Sequence, residues 1–160
     1  MSKIKLNVVR TSKDIIFDSV FLILTVAVWC IIVWLIHRAP NVVPTHWGPS
    51  GTPDAYGPPT FFITPGIIMT VVALICAFSI YLPNGSINLP GIEGPGNARQ
   101  RRLGILLSRI IALIILAAML FTAVYMLAMK KHDSALPWVI IVGSMIGVSL
   151  VFTVLIYKAK

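Results

Sequence analysis

The residues able to do chemistry gather in the segments between apolar stretches: His37, His46 and His132, with Asp54 and Asp133. Imidazole and carboxylate together can bind Zn²⁺ or Cu²⁺, and Met126 and Met129 would suit a softer copper ion. None of the spacings is a ligand signature, and His37 and Met129 read better as interfacial side chains than as ligands. His46 and Asp54 would make an acid and base pair if their loop brings them together. The sequence holds no nucleophile elbow, Walker loop, HExxH or paired intramembrane aspartates. The expectation is therefore a non-enzymatic protein with no catalytic residue, no cofactor and no metal. An outer-face metal-binding protein or enzyme using His37, His46, Asp54 and His132 is kept as an alternative.

Two further residues are unusual because of where they fall. Asp18 and Arg109 sit inside long apolar stretches at a similar depth, and charges there are usually paired or functional. An interhelical ion pair competes with snorkelling of each side chain toward the headgroups. Gly143 and Gly147 form a GxxxG spacing that lets another backbone approach closely. Cys30 and Cys76 fall within apolar stretches, where a thiol packs as a small apolar group, and predict no disulfide framework.

The elements that must position these residues follow from composition. Apolar residues make up 58% and charged residues 11% of 160, against about a quarter charged in soluble domains. Four stretches, 15–36, 61–82, 104–129 and 137–157, are each long enough to cross a hydrocarbon core that takes about 20 helical residues. They are apolar on all sides, which predicts helices rather than barrel strands. The expected fold class is an all-α membrane protein: a single four-span transmembrane domain over 1–160, capped by an ordered Pro/Gly-rich extracytoplasmic loop between helices 1 and 2. The first stretch reads as a retained anchor rather than a signal peptide.

Basic residues set the expected orientation. Nine of thirteen (Lys3, Lys5, Arg10, Lys13, Arg99, Arg101, Arg102, Lys158, Lys160) lie in the two ends and the second loop, against Arg38, Lys130 and Lys131 in the other loops. The positive-inside bias puts both termini in the cytoplasm of an inner, or plasma, membrane. Trp34, Trp47 and Trp138 then form the outer aromatic belt, and Tyr81 and Tyr157 the inner one. The net charge of +8 is matched to anionic lipid at the cytoplasmic face rather than to nucleic acid. In the first loop the prolines exclude a regular helix, and only Val42 to Trp47 is expected to be extended. The run Ala98 to Arg102 is expected to end a Gly- and Pro-rich cytoplasmic loop before helix 3 begins. A short hairpin, Lys130 to Leu136, makes helices 3 and 4 antiparallel neighbours, with Asp133 or Ser134 capping helix 4.

The first loop also carries a motif. Its stretch from Pro40 to Gly57, P-N-V-V-P-T-H-W-G-P-S-G-T-P-D-A-Y-G, places Pro44, His46, Trp47, Gly51, Pro53, Asp54, Tyr56 and Gly57 in the pattern P-x-H-aromatic followed by G-x-x-D-x-aromatic-G. That pattern resembles the signature loop of a bacterial membrane family, the domain of unknown function DUF1648, which also forms the amino-terminal part of SdpI-type immunity proteins. The resemblance covers about a third of the chain. It implies an immunity- or signal-receptor-like protein whose outer loop binds an extracytoplasmic peptide or toxin. The same residues read structurally as a fold-back in which His46 hydrogen-bonds to Asp54. A different class of function, a small accessory subunit packed against a larger membrane complex, is suggested by Gly143 and Gly147.

Overall fold

A computed structural model describes residues 9–48, 50–82, 98–128 and 136–159, with side chains from 142 onward in the last segment. Four helices order the chain: α1 (Ser12–Arg38), α2 (Ile63–Ala77), α3 (Ala98–Leu127) and α4 (Leu136–Lys158). Between α1 and α2 stand two strands, β1 (Val43–Trp47) and β2 (Pro53–Gly57), and a 3-10 turn at Pro59–Phe62. The protein is an all-α membrane protein with one small two-stranded sheet. Among the described residues, three helical segments (12–38, 59–77 and 98–127) are long and apolar enough to cross a membrane; the described side chains of α4 add a shorter apolar helix, Val142–Lys158.

α1 shows why these sequences become bundle helices. Asp14, Asp18, Phe21, Thr25, Val28, Ile32 and Leu35 recur every three or four residues and form one buried stripe. The other faces carry exposed Ile16, Ile23, Val26 and Val33, apolar residues suited to lipid rather than water. α3 lies at the centre and packs on α1, α2, α4 and β1, with α2 its most extensive neighbour. Small side chains allow that closeness: Ala73 and Ala77 of α2 and Ala112 and Ala123 of α3 are all fully or nearly fully buried. Gly66 of α2 is needed for the same reason, since a Cβ there would stand 3.1 Å from the Trp29 ring and 3.2 Å from the Phe62 ring. The Trp29 indole N–H donates to Thr70 Oγ1 at 2.9 Å, fastening α1 to α2.

Several boundaries differ from the sequence expectation. α1 extends three residues earlier, because Asp14 sits in its first turn and accepts from the Thr11 N–H and hydroxyl, both at 2.7 Å. α2 is shorter than 61–82: 3-10 turns at Pro59–Phe62 and Ser79–Tyr81 replace its ends. α3 starts at Ala98 rather than 104, so the basic run 98–102 is helix and not loop. The second strand, Pro53–Gly57, was not expected, and it makes a β-hairpin of the first loop. Of the expected hairpin 130–136, residues 130–135 with the caps Asp133 and Ser134 lie outside the described residues, as does Met129; so does the Trp138 side chain.

Candidate binding site

The hairpin is built on its glycine turn and on two bulges. Gly51 has φ 80°, a left-handed conformation suited to glycine, and it closes a turn with Gly48 N–H donating to the Thr52 carbonyl at 2.9 Å. The strands pair antiparallel, Val43 with Gly57, Pro44 with Tyr56, His46 with Ala55 and Trp47 with Pro53. Thr45 and Asp54 are thus skipped in the register, and such irregularities re-aim side chains. Here the result is a contact between His46 Nδ1 and Asp54 Oδ1 at 2.6 Å, on side chains that are 70% and 51% exposed. Tyr56 beside them is also exposed.

The inner side of the hairpin is fixed. Val43 and Pro44 are buried, β1 packs on α3 and on the Pro59–Phe62 turn, and the Trp47 ring lies against the Tyr125 ring with centroids 5.7 Å apart. The motif residues therefore divide. Val43, Pro44 and Trp47 anchor, Gly51 turns, and His46, Asp54 and Tyr56 face outward.

The metal candidates do not converge. His37 Nδ1 lies 2.8 Å from the Val33 carbonyl within its own helix, and Met126 is buried in the core. Among the described residues there is no group of three or more His, Cys, Asp or Glu placed to hold a metal. His132 lies outside them.

At the opposite end of the bundle, Arg109 donates to Asp14 at 2.6 Å and to Asp18 at 3.1 Å, all three side chains at most 8% exposed. The Arg109 guanidinium also lies over the Phe17 ring, 4.6 Å from its centroid. Arg102 binds Asp14 at 2.9 Å and also donates to the Val9 carbonyl, while Arg10 reaches Asp18 at 3.3 Å. The Tyr81 hydroxyl donates to Asp18 at 2.6 Å, and this bond raises the phenol above its ordinary pKa. Tyr81, expected from the sequence as a belt residue, is a ligand of the charge cluster.

The first turn of α3 is the fastening point of this end. Gln100 donates to the Ile156 carbonyl of α4 at 3.3 Å, Arg101 to the Leu82 carbonyl beyond α2 at 3.1 Å, and Arg102 to Asp14 of α1. Successive residues on a helix point about 100° apart, so three in a row can each hold a different neighbour. Asp18 and Arg109 were singled out in the sequence, but Asp14, Arg10, Arg102 and Tyr81 were not. The available signal was spacing: Asp14 and Asp18 are four apart on one face of α1, and Arg102 and Arg109 seven apart on one face of α3. Gly143 and Gly147 stand apart from all of this; a Cβ on either would meet nothing within 4 Å.

Residues 23–69 match the family described as Domain of unknown function (DUF1648). The segment is a DUF1648 domain. No curated protein and no solved structure matches the chain. The DUF1648 segment begins within α1, contains the whole hairpin and ends within α2, so the His46–Asp54 pair lies inside it. Asp14, Asp18, Tyr81, Arg102 and Arg109 all lie outside it.

Proposed function

We propose that this chain is a non-enzymatic membrane protein that binds an extracytoplasmic peptide or toxin through its DUF1648 hairpin, in an immunity- or signal-receptor-like role. The observation that carries the reading is the division of the hairpin. An apolar inner side is clamped to α3, while His46, Asp54 and Tyr56 form an exposed polar and aromatic face. A preorganised surface of this kind binds without first having to order its own backbone. Exposed tyrosine with a neighbouring carboxylate offers apolar contact and a cation-binding group together. The distribution of basic residues supports an inner membrane location with both termini cytoplasmic, the hairpin outside and anionic lipid against the opposite end.

The test is panning of a phage-displayed peptide library on the protein held in lipid nanodiscs. The proposal expects peptides enriched on wild type and lost on a His46→Ala, Asp54→Ala double variant that still folds. Equal enrichment on both proteins would remove the hairpin from the binding role.

A second reading, an accessory subunit in a larger membrane complex, is favoured by α4. Around Gly143 and Gly147 its Val142, Ile146 and Leu150 are exposed, leaving a face that no other element of this chain covers among the described residues. Recovery of a stoichiometric membrane partner with the protein from native membranes, lost in Gly143→Leu, would support it over the first reading.

A further inference from the structure

The hairpin carries a single formal charge, and it is of the minority sign. The sequence 43–57 holds Asp54 alone, in a chain of net charge +8. The carboxylate is braced on both oxygens. Oδ1 meets His46 Nδ1 at 2.6 Å, and Oδ2 lies so near the turn that a Cβ on Gly48 would stand 3.2 Å from it. The turn is itself closed by the Gly48–Thr52 bond and by the Ser50 and Thr52 hydroxyls, 2.7 Å apart. Arg38, the nearest Lys or Arg in the sequence, stands over the Trp34 ring of its own helix, 5.4 Å from the centroid. The contact with Asp54 decides which nitrogen of His46 is an acceptor. An ionised carboxylate only accepts, so the proton lies on Nδ1 and is donated to Asp54 Oδ1. In the neutral ring Nε2 then carries the lone pair. The side chain is 70% exposed, which puts the ring edge opposite Asp54 within reach of a ligand.

We infer that the hairpin recognises a primary ammonium group, that of a peptide N-terminus or a lysine side chain. One ammonium N–H donates to His46 Nε2, and Asp54 on the other edge of the ring supplies the opposing charge. An ammonium has three donors and no acceptor, which suits a lone pair backed by a carboxylate. An anionic group on the ligand would meet the same lone pair and the same negative charge, and is disfavoured there. The exposed Tyr56 ring, on the same outward side, offers a π face to the cation and its alkyl stem. The inference rests on the peptide-binding reading only for the source of the ammonium; the selectivity belongs to His46 and Asp54 themselves.

The test is nitrogen-15 NMR of the full chain in zwitterionic nanodiscs, with the histidine rings labelled and His46→Gln used to assign the signal. The pH is set where the ring shifts show neutral imidazole. The free protein should show His46 protonated at Nδ1 and bare at Nε2. Butylammonium chloride should move the Nε2 resonance and half-saturate at roughly tens of millimolar, the affinity of one charge-assisted hydrogen bond. Tetramethylammonium chloride at the same ionic strength has the charge but no N–H, and should bind at least about fivefold more weakly. Asp54→Asn keeps an acceptor for the Nδ1 proton, and so the tautomer, but removes the charge. It should weaken butylammonium about threefold, the effect of one charge across an imidazole ring in water. A proton on Nε2 in the free protein, equal binding of the two cations, or undiminished binding in Asp54→Asn would each overturn the inference. Failure of the peptide-binding reading has a different signature: panning enriches no peptide while butylammonium still shifts Nε2. Peptides that are enriched, and bind equally well once all their amines are acetylated, would leave that reading standing and overturn this one.

Discussion

Replacing Arg109 by Met should be the most damaging single change at the charged end. The side chain is 8% exposed and donates to two carboxylates that are themselves 5% and 7% exposed. Each such charge-assisted bond contributes about 1.5–3 kcal/mol, and breaking a buried ion pair from one side costs about 3–5 kcal/mol. Asp14 retains Arg102 and Asp18 retains Arg10 and Tyr81, so the expected loss is near the lower figure, about 3 kcal/mol. Arg102→Gln offers the comparison within one cluster. Its side chain is 36% exposed, so solvent screening limits the loss to about 1 kcal/mol. The assay is reversible unfolding of the purified protein in mixed detergent micelles, followed by helical circular dichroism. Asp18→Asn combined with Arg109→Met should cost less than the two single losses added, because the partners share one network. If Arg109→Met loses no more than Arg102→Gln, the cluster does not hold α1 to α3 and the reasoning is refuted.

Other expectations concern packing, the turn and pH. Gly66→Val should destabilise by about 1–3 kcal/mol through its clash with Trp29 and Phe62, with a change in Trp29 fluorescence, whereas Gly143→Ala should leave the stability of the isolated chain unchanged. Gly51→Ala, at φ 80°, should cost about 1 kcal/mol and should disturb the Gly48–Thr52 turn in hydrogen exchange. The Tyr81 phenol has a raised pKa in the folded protein, so its bond to Asp18 is complete below the unfolded value of about 10 and is lost as pH rises through the folded value. The stability difference between wild type and Tyr81→Phe should be flat from pH 6 to 9 and close above that; a difference that varies within the flat range would count against the bond.

The spans were legible because twenty apolar residues in a row have few other uses. The loop motif was legible because Pro, Gly and aromatic residues at fixed spacing constrain a backbone locally. Asp18 and Arg109 were noticed because a charge in an apolar run is conspicuous. Asp14 and Arg102 were missed because each lies next to a polar segment and looks like a flank; their value comes from a contact across 88 residues. The basic run 98–102 read as loop because Gly, Pro and Asn precede it, yet Gln100, Arg101 and Arg102 within it are held by α4, by the Leu82 carbonyl beyond α2 and by α1. The second strand was hidden by Pro53, which reads as a breaker, and by its length of five residues. Strand pairing there comes from β1 rather than from β propensity.

α3 is held at both of its ends: by Arg102 to α1 near its start, and by Tyr125 to the hairpin near its finish. The distance along the helix between those two fastenings is about 35 Å, a little over the thickness of an average hydrocarbon core. Such a strut works as a caliper. In a thinner bilayer it must tilt further to keep its ends at the two interfaces, and in a thicker one it must stand more upright. Because Trp47 rides on Tyr125, the angle at which the hairpin meets the adjoining water follows the thickness of the membrane.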